Sequence, residues 1–541
     1  MIDVKLFGNK AYQWTQKDGH YFTGYYFDEN NVIYRGDDAI DFLLHSGIED
    51  SVTPKTNGIY TFIKATNAGI SIITDSLNYF PVFYLKHYES WILSDDWNYL
   101  VEAKGGITSN SEAEAEFQSI GFVLDNETLD INILKTRAGE KVLLNHNGTF
   151  ERVPDYYFLP ENFVNDGFSK LKNDLVLELY DTGKRLIQFL DSRTAVVPLS
   201  GGFDSRLIAC ILKKLNYENV ICITYGIKNK EEEISCKVAQ ELGYRWYFID
   251  YTEIKLNTYL DDSELLEYMK QTGNGYTMPY LQEYFAVQKL VKEKIIPKNS
   301  VFLPGHIGGL AGAQILKSVK TKKQNHELFD NLINNYFFFA KILKEKKQLI
   351  KRISKTTQNY PQKNNYSKEY NPYIEDWLLK EKFSKFIFHS SKVFDFWGHE
   401  TYFVLWDYKL VNFFRNLPFH FRENKLLYDH VAIQEFFLPL HVYFQKEEIK
   451  VSSVDIYIQK FKSKIRDFFP WKFLLKRMQA HDWSYYGALT HEMENRMEKK
   501  GYPRLKHFRL FNAIICRWYM DFVNFYKTNN RDAAYRVSTN H

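Results

Sequence analysis

Cysteine is scarce: 541 residues hold four, Cys210, Cys222, Cys236 and Cys516, and no two form a CxxC pair. That spacing speaks against a zinc site or a disulfide framework, and a reducing, cytoplasmic setting is the expectation. Long apolar runs are missing as well. Nothing approaches the roughly 18 apolar residues that cross a bilayer. The densest cluster, YFFFAKIL (336–343), predicts a buried helix face. The opening residues, MIDVKLFGNKAYQWTQKDGH, lack the charged-then-apolar pattern of a secretion signal. An excess of one charge is also lacking. Seventy basic residues against 66 acidic leave a net charge of +4, which makes no case for nucleic acid or a membrane as partner.

What remains is an ordinary globular composition, 45% hydrophobic and 25% charged, with a high aromatic share of 17%. The length suggests roughly two to four domains. Residues 1–160 read as β-rich. GHYFTGYYFD, NGIYTFIKA, AGISIITD, FPVFYLKHY and SWILSDD are short Ile-, Tyr- and Phe-rich runs separated by turn residues, and AEAEFQSIGFVL is the helical interruption. Between 161 and 190, FSKLKNDLVLELYDTGKRLIQFL spaces its apolar residues as an amphipathic helix.

From 195 the texture changes. TAVVPLS, NVICITYG, YRWYFIDY and SVFLPG (300–305) are nearly unbroken apolar strands, and DSRLIACILKKL and EEEISCKVAQEL are helical segments among them. Buried strands alternating with helices predict a parallel α/β sheet, whose ligands sit at the carboxyl ends of the strands. Residues 316–375 are rich in Lys, Asn and Gln, with KNNYSKEYNPY expected as a mobile loop. A helical, aromatic-rich part follows to about 525, and the tail NNRDAAYRVSTNH is expected to be disordered.

The stretch VVPLSGGFDSRLIACIL (196–212) puts Ser200-Gly201-Gly202-Phe203-Asp204-Ser205 between a strand and a helix. One reading is a turn with a helix cap. The other is an anion site, in which glycines admit a phosphate, serine hydroxyls donate to it and the helix N-terminus attracts it. Asp204 would repel phosphate unless it holds a Mg2+ that bridges phosphate oxygens. Arg206, directly after the loop, is left as a solvent-facing side chain.

LSGGFDS resembles the SGGxDS phosphate loop of the N-type ATP pyrophosphatases, and the wider chain resembles the asparagine synthetase family. ICITYGIKNKEEEISCKVAQELGYRWYFID resembles the family's second strand, acidic helix and third strand. FLPGHIGGLAG (302–312) stands where the family has SGEGSDE or GHGGD. SKVFDFWGHETYFVLWDYKLVNFFRNLP (391–418) is similar to DR…VExRxPFLD, which puts Lys392 on the Arg, Glu400 on the Glu and Asp407 on the last Asp. IITDSLNYFPVFYL and TLDINILKTRAGEKVLLNHNGTFERVPDYY resemble the hairpin and exit of a glutaminase domain.

The resemblance implies an αββα domain of the Ntn-hydrolase type over 1–160. It implies an adenine-nucleotide α-hydrolase-like (HUP) parallel-sheet synthetase domain with a helical C-terminal part over 161–525, leaving 526–541 as the tail. It further implies an ATP- and Mg2+-dependent ligase that adenylates a carboxylate and passes the acyl group to ammonia or an amine, with AMP and pyrophosphate as products. Leu199, Ser200, Gly201, Gly202, Asp204 and Ser205, with Thr224, Tyr225, Gly226 and Gly305, would bind the nucleotide, and Asp204 the metal. Glu400, His306 and Lys450 would be catalytic, with Lys446 the alternative lysine.

Two departures stand out. The glutamine-hydrolysing members carry a cysteine after the initiator Met where this chain has Ile2, and without that thiolate the amidase chemistry cannot run. The family's second Mg2+ ligand, an Asp, is replaced by Gly309. The texture around 394–406 and PGHIGG is closest to relatives that amidate uronic acids of polysaccharide precursors. Lasso-peptide-type or β-lactam-type cyclases and a non-catalytic scaffold are the alternatives. Partners would be a small carboxylate and an amine, with a homodimer left open.

Overall fold

A computed structural model describes residues 2–45, 57–154, 158–160, 164, 166–306, 308, 349–353, 355–356, 372–444, 471–506 and 508–523. The expectations for 336–343, for the loop before 371 and for the tail lie outside the described residues.

The alternating aromatic and β-branched positions of the N-terminal part pair into two sheets. The smaller holds β1 (Asp3–Lys5), β8 (Ser90–Ser94), β7 (Phe83–His87) and β9 (Ile133–Lys135) in that order. The larger runs β11 (Phe150–Pro154), β10 (Glu140–Asn145), β6 (Gly69–Thr74), β5 (Asn57–Ala65), β3 (His20–Phe27) and β2 (Thr15–Lys17), with β4 (Ile33–Tyr34) beside β3. Ile63, Ile72, Val82, Tyr84, Leu93 and Val142 fill the space between the sheets. Helix α1 (Gly36–His45) covers the larger sheet through Ile40 and Leu43. Helices α2 (Trp97–Ala103) and α3 (Ser111–Ile120) cover the smaller through Trp97, Leu100 and Phe117. The layers thus run helix, sheet, sheet, helix. The expected helix AEAEFQSIGFVL stops early because Gly121 adopts a left-handed φ of 86° that ends α3.

The third sheet is parallel throughout. Its order is β14 (Arg245–Asp250), β13 (Val220–Gly226), β12 (Ala195–Pro198), β15 (Val301–Phe302) and β16 (Glu400–Thr401). Along β12 the side chains alternate. Ala195, Val197 and Leu199 pack with α4 (Phe168–Leu190), α5 (Phe203–Lys214) and α6 (Lys230–Leu242), while Val196 packs with α7 (Ser263–Gly273) and α8 (Tyr284–Lys292). Burial on both faces is why these strands read as unbroken apolar runs. The fourth strand is only Val301–Phe302, shorter than SVFLPG suggests, and the two-residue fifth strand is too short for any sequence pattern.

The cluster behind α7 and α8 also contains Trp97, Leu100 and Phe117, so the helical layer of the N-terminal unit is packed into the second unit's core. Phe394, Phe396, Tyr402 and Phe403 are buried in these cores, so the aromatic texture at 394–406 is packing. A charged tie reinforces the joint. Glu400, on the last strand, is clamped by Arg35 from the N-terminal unit and by Arg193 just before β12. Burial works to raise its pKa, but the hydrogen bonds and charges of Arg35 and then Arg193 prevail and hold it below the ordinary value.

Because the folded pKa lies under the unfolded one, this tie stabilises at pH values above the unfolded pKa of ~4.3. Its contribution is lost as pH falls through the folded pKa. Glu400→Gln should cost about 2 kcal/mol at pH 7, less than a fully buried pair costs, since Arg35 is 40% exposed. Thermal melting across pH should show the gap between variant and wild type closing as the solution is acidified below ~4.

Candidate functional site

In an open parallel sheet the crevice lies where the strand order reverses, at the carboxyl ends. Here β12 is the first strand of the series, with β13 on one side and β15 on the other. The loop Ser200–Ser205 leaves β12 at that point, and the turn at Gly305 leaves β15 beside it. Both loops predicted from sequence therefore meet.

The loop is braced from within. Ser205 Oγ accepts from Ser200 N at 3.0 Å, Ser200 Oγ accepts from Gly202 N at 3.2 Å, and the two hydroxyls lie 3.2 Å apart. Gly202 caps α5 without a side-chain hydrogen bond, so no side chain closes the helix N-terminus. A side chain at Gly201 would crowd α6, since a Cβ there would lie 3.2 Å from Glu231 Cα. Arg206 does not face solvent. It is fully buried, donating to the Gly201 carbonyl at 2.7 Å and the Val442 carbonyl at 2.9 Å among Phe203, Phe437 and Phe444. This guanidinium draws the Gly201 carbonyl inward, away from any anion over the helix end.

The second turn packs directly on the first. A Cβ on Gly305 would lie 2.7 Å from Ser205 N, and one on Gly308 would lie 1.9 Å from Asp204 Oδ1. Asp204 Oδ1 accepts from Tyr428 OH at 3.0 Å and from Lys425 Nζ at 3.2 Å. Lys425 and its neighbour Asn424 both hold left-handed φ values, 59° and 60°, just before α9 (Leu426–Val431). Two such residues in a row are unusual without glycine, and here they aim the ammonium at the loop. Lys425 was not among the predicted residues.

The end of β13 supplies the third wall. Thr224 Oγ1 donates to the Leu199 carbonyl at 2.8 Å and accepts from Trp246 Nε1 at 3.0 Å, so Leu199 and Thr224 brace the strands. Gly226 has φ +117°, and a Cβ there would lie 2.4 Å from the Trp483 carbonyl, which accepts from Ile227 N at 2.9 Å. Tyr225, on the opposite face, donates to Glu283 Oε1 at 2.7 Å.

The expected catalytic residues separate. His306 follows Gly305 and is half-buried beside Phe388 and Phe403, with Nε2 3.1 Å from Ser391 Oγ and 3.4 Å from Ser390 Oγ. Burial pushes its pKa down to about 4, so it is neutral at pH 7. Glu400 is level with Val301 and hence with Ala195, the amino end of β12. Five residues of strand separate that level from Ser200, about 16 Å, and its carboxylate is spent on two arginines. Lys392 pairs with Asp395 at 2.9 Å over the Tyr79 ring, lining a cavity of ≈ 300 Å3 between the two units. Asp407 is held by Arg185 at 2.6 Å. Lys446, Lys450 and Gly309 lie outside the described residues.

Chemically, the described carboxyl edge can seat a polyanion: open helix N–H groups, two serine hydroxyls, one lysine and a backbone cleared by glycines. Among the described residues no group of three His, Cys, Asp or Glu could hold a metal. A Mg2+ at Asp204 would need ligands beyond this carboxylate.

A scan of known protein families finds no match, and a search of curated proteins finds none. Among solved structures the chain is similar to the NH3-dependent NAD synthetase from Campylobacter jejuni subsp. jejuni NCTC 11168 in complex with the nitrate ion. The identity is 15%, the overlap covers 36% of this chain and 86% of that one, and the TM-score is 0.19. So slight a likeness carries no argument, and the site stands on its own geometry.

That geometry predicts two variants. Gly308→Ala should push Asp204 off Lys425 and Tyr428, and Lys425→Met should remove the ammonium that pairs with Asp204. Calorimetric titration with magnesium pyrophosphate should show each weakening binding about tenfold or more, the scale of one charge-assisted hydrogen bond.

Proposed function

We propose that the chain is an ATP-dependent, AMP-forming ligase that joins a carboxylate to ammonia or an amine and does not generate ammonia from glutamine. The observation that carries this reading is the placing of Ser200–Ser205 at the point where a parallel sheet reverses its order, with an open helix end above and Lys425 opposite. An ordinary turn would need neither the buried Arg206 nor the close-packed Gly305 and Gly308.

In this reading Ser200, Ser205 and the N–H groups at the start of α5 hold the pyrophosphate portion of ATP, and Leu199, Thr224, Tyr225 and Gly226 flank the adenosine. Lys425 lies where negative charge grows as the α-phosphate is transferred to the carboxylate, and a fixed cation there favours the transition state over the ground state. Asp204 would hold Mg2+, which when bound neutralises the leaving pyrophosphate. Neutral His306 would act as a base only by giving up its hydrogen bond with the Ser391 hydroxyl. Ile2 leaves the N-terminal unit without a thiol nucleophile, so its role is support: its helices complete the core behind α7 and α8.

The choice of carboxylate is open at this level. The uronic-acid reading loses its aromatic support, because those rings are core. A second reading, a non-catalytic scaffold derived from an asparagine-synthetase-like enzyme, is favoured by one observation, that Lys425 and Tyr428 already satisfy Asp204 Oδ1.

Incubating the protein with Mg-ATP, ammonia and a panel of carboxylates that includes UDP-uronic acids separates the two. The ligase should release AMP and pyrophosphate with one acid, and Asp204→Ala should lower that rate by about a hundredfold or more, as expected when charge stabilisation is removed. Absence of Asp204-dependent nucleotide binding would favour the scaffold.

A further inference from the structure

One strand away from the phosphate loop lies a buried charge with an empty side. Glu283, immediately before α8, accepts from Tyr225 OH through Oε1 at 2.7 Å. Its other oxygen, Oε2, is shut from solvent and has no hydrogen-bond partner. Leaving a buried carboxylate oxygen unpaired is costly, so a native protein that does so invites the question of what completes it.

The surroundings are tyrosines. The charge on Glu283 is felt by the hydroxyls of Tyr225 on β13, Tyr251 after β14, Tyr268 on α7, Tyr280 in the preceding loop and Tyr486 on α10 (Tyr486–Lys499). Three of the others are spent. Tyr251 OH donates to the Gln282 carbonyl at 2.5 Å, Tyr268 OH to the Tyr280 carbonyl at 2.6 Å, and Tyr280 OH to Gln282 Oε1. The Tyr486 hydroxyl, like Glu283 Oε2, is buried without a partner. No cation among the described residues offsets the carboxylate. Burial raises its pKa to about 7, opposed only by the Tyr225 hydroxyl and its own backbone amide.

Two unpaired polar atoms, one anionic and one a hydroxyl, within aromatic walls define a guest: positively charged, with several N–H donors and small enough to lie against rings. A divalent metal would ask for more oxygen ligands than one carboxylate and neutral phenols provide. An ammonium group supplies three donors and is attracted to aromatic faces. Tyr225, Tyr280, Gln282 and Glu283 are each only partly buried, so the carboxylate lies one side-chain layer below the surface. Tyr225 follows Thr224, the residue braced to Leu199, and so stands beside Ser200.

We propose that Glu283 and Tyr486 form an ammonium-binding site, with Glu283 Oε2 and the Tyr486 hydroxyl receiving the N–H groups of ammonia's conjugate acid or of a small primary amine. Taken as the seat of the nucleophile, this assignment rests on the ligase reading. As a binding site it stands without it.

The test titrates the full chain at pH 8 with methylammonium chloride and, separately, ammonium chloride, reading the change in tryptophan emission that is lost in Trp483→Phe, since the Trp483 ring centroid is 6.2 Å from that of Tyr225. Sodium chloride and methanol are the ionic and neutral controls. Saturable binding of methylammonium, ammonium or both is expected, the stronger of the two naming the guest. Glu283→Gln, which keeps the shape and can still accept from Tyr225, should weaken binding at least tenfold, Tyr486→Phe about threefold, and acidification below 7 should weaken binding to the wild type. Asp204→Ala should leave it unchanged, while nucleotide binding to that variant reports separately on the ligase reading. No saturation with either cation, an equal response to methanol, or undiminished binding by a folded Glu283→Gln protein would overturn the proposal.

Discussion

The arrangement at the carboxyl edge depends on how one carboxylate, Asp204, is held. It stands in the first turn of α5, where a helix favours negative charge, yet also at the mouth of the site proposed for a polyanion. Gly308 presses on it from one side, and Lys425 and Tyr428 bind it from the other. In the proposed reading Asp204 would hold the metal and Lys425 would supply positive charge to the phosphates. The same contact joins distant parts of the chain, since Asp204 and Lys425 are 221 residues apart.

Around that contact the molecule is organised as support. The helical layer behind the smaller N-terminal sheet is embedded in the core of the second unit, and Glu400 ties Arg35 and Arg193 together at the opposite end of the same parallel sheet. Both ends of the sheet thus carry buried charge, but in different forms. At the amino end a carboxylate is matched by two guanidinium groups, which is an arrangement for holding. At the carboxyl end Lys425 faces Asp204 from a left-handed backbone, and Glu283 Oε2 is buried with no partner among the described residues.

The strand-to-helix loop at 200–205 was legible in the sequence because its constraint is local: a side chain at 201 would crowd Glu231, and the hydroxyls of Ser200 and Ser205 lie 3.2 Å apart across five residues. The parallel strands were legible because burial on both faces leaves an unbroken apolar run. The rest is set by long-range contacts. Arg206 looks like a surface residue until the Val442 carbonyl and three phenylalanine rings close over it. Glu400 sits in a two-residue strand, too short to carry a period, and its arginine partners come from elsewhere in the chain. Lys425 is one lysine among many until a pair of left-handed residues turns it inward, and Glu283 is distinguished only by what fails to meet it.

The most direct measurement is a structure of the protein with Mg2+ and a non-hydrolysable ATP analogue. This account predicts the β- and γ-phosphates over the start of α5, Mg2+ between them and Asp204, and the Lys425 ammonium moved from Asp204 to a phosphate oxygen. A nucleotide bound elsewhere, or a loop that stays empty with the Asp204–Lys425 pair intact at saturating analogue, would contradict it.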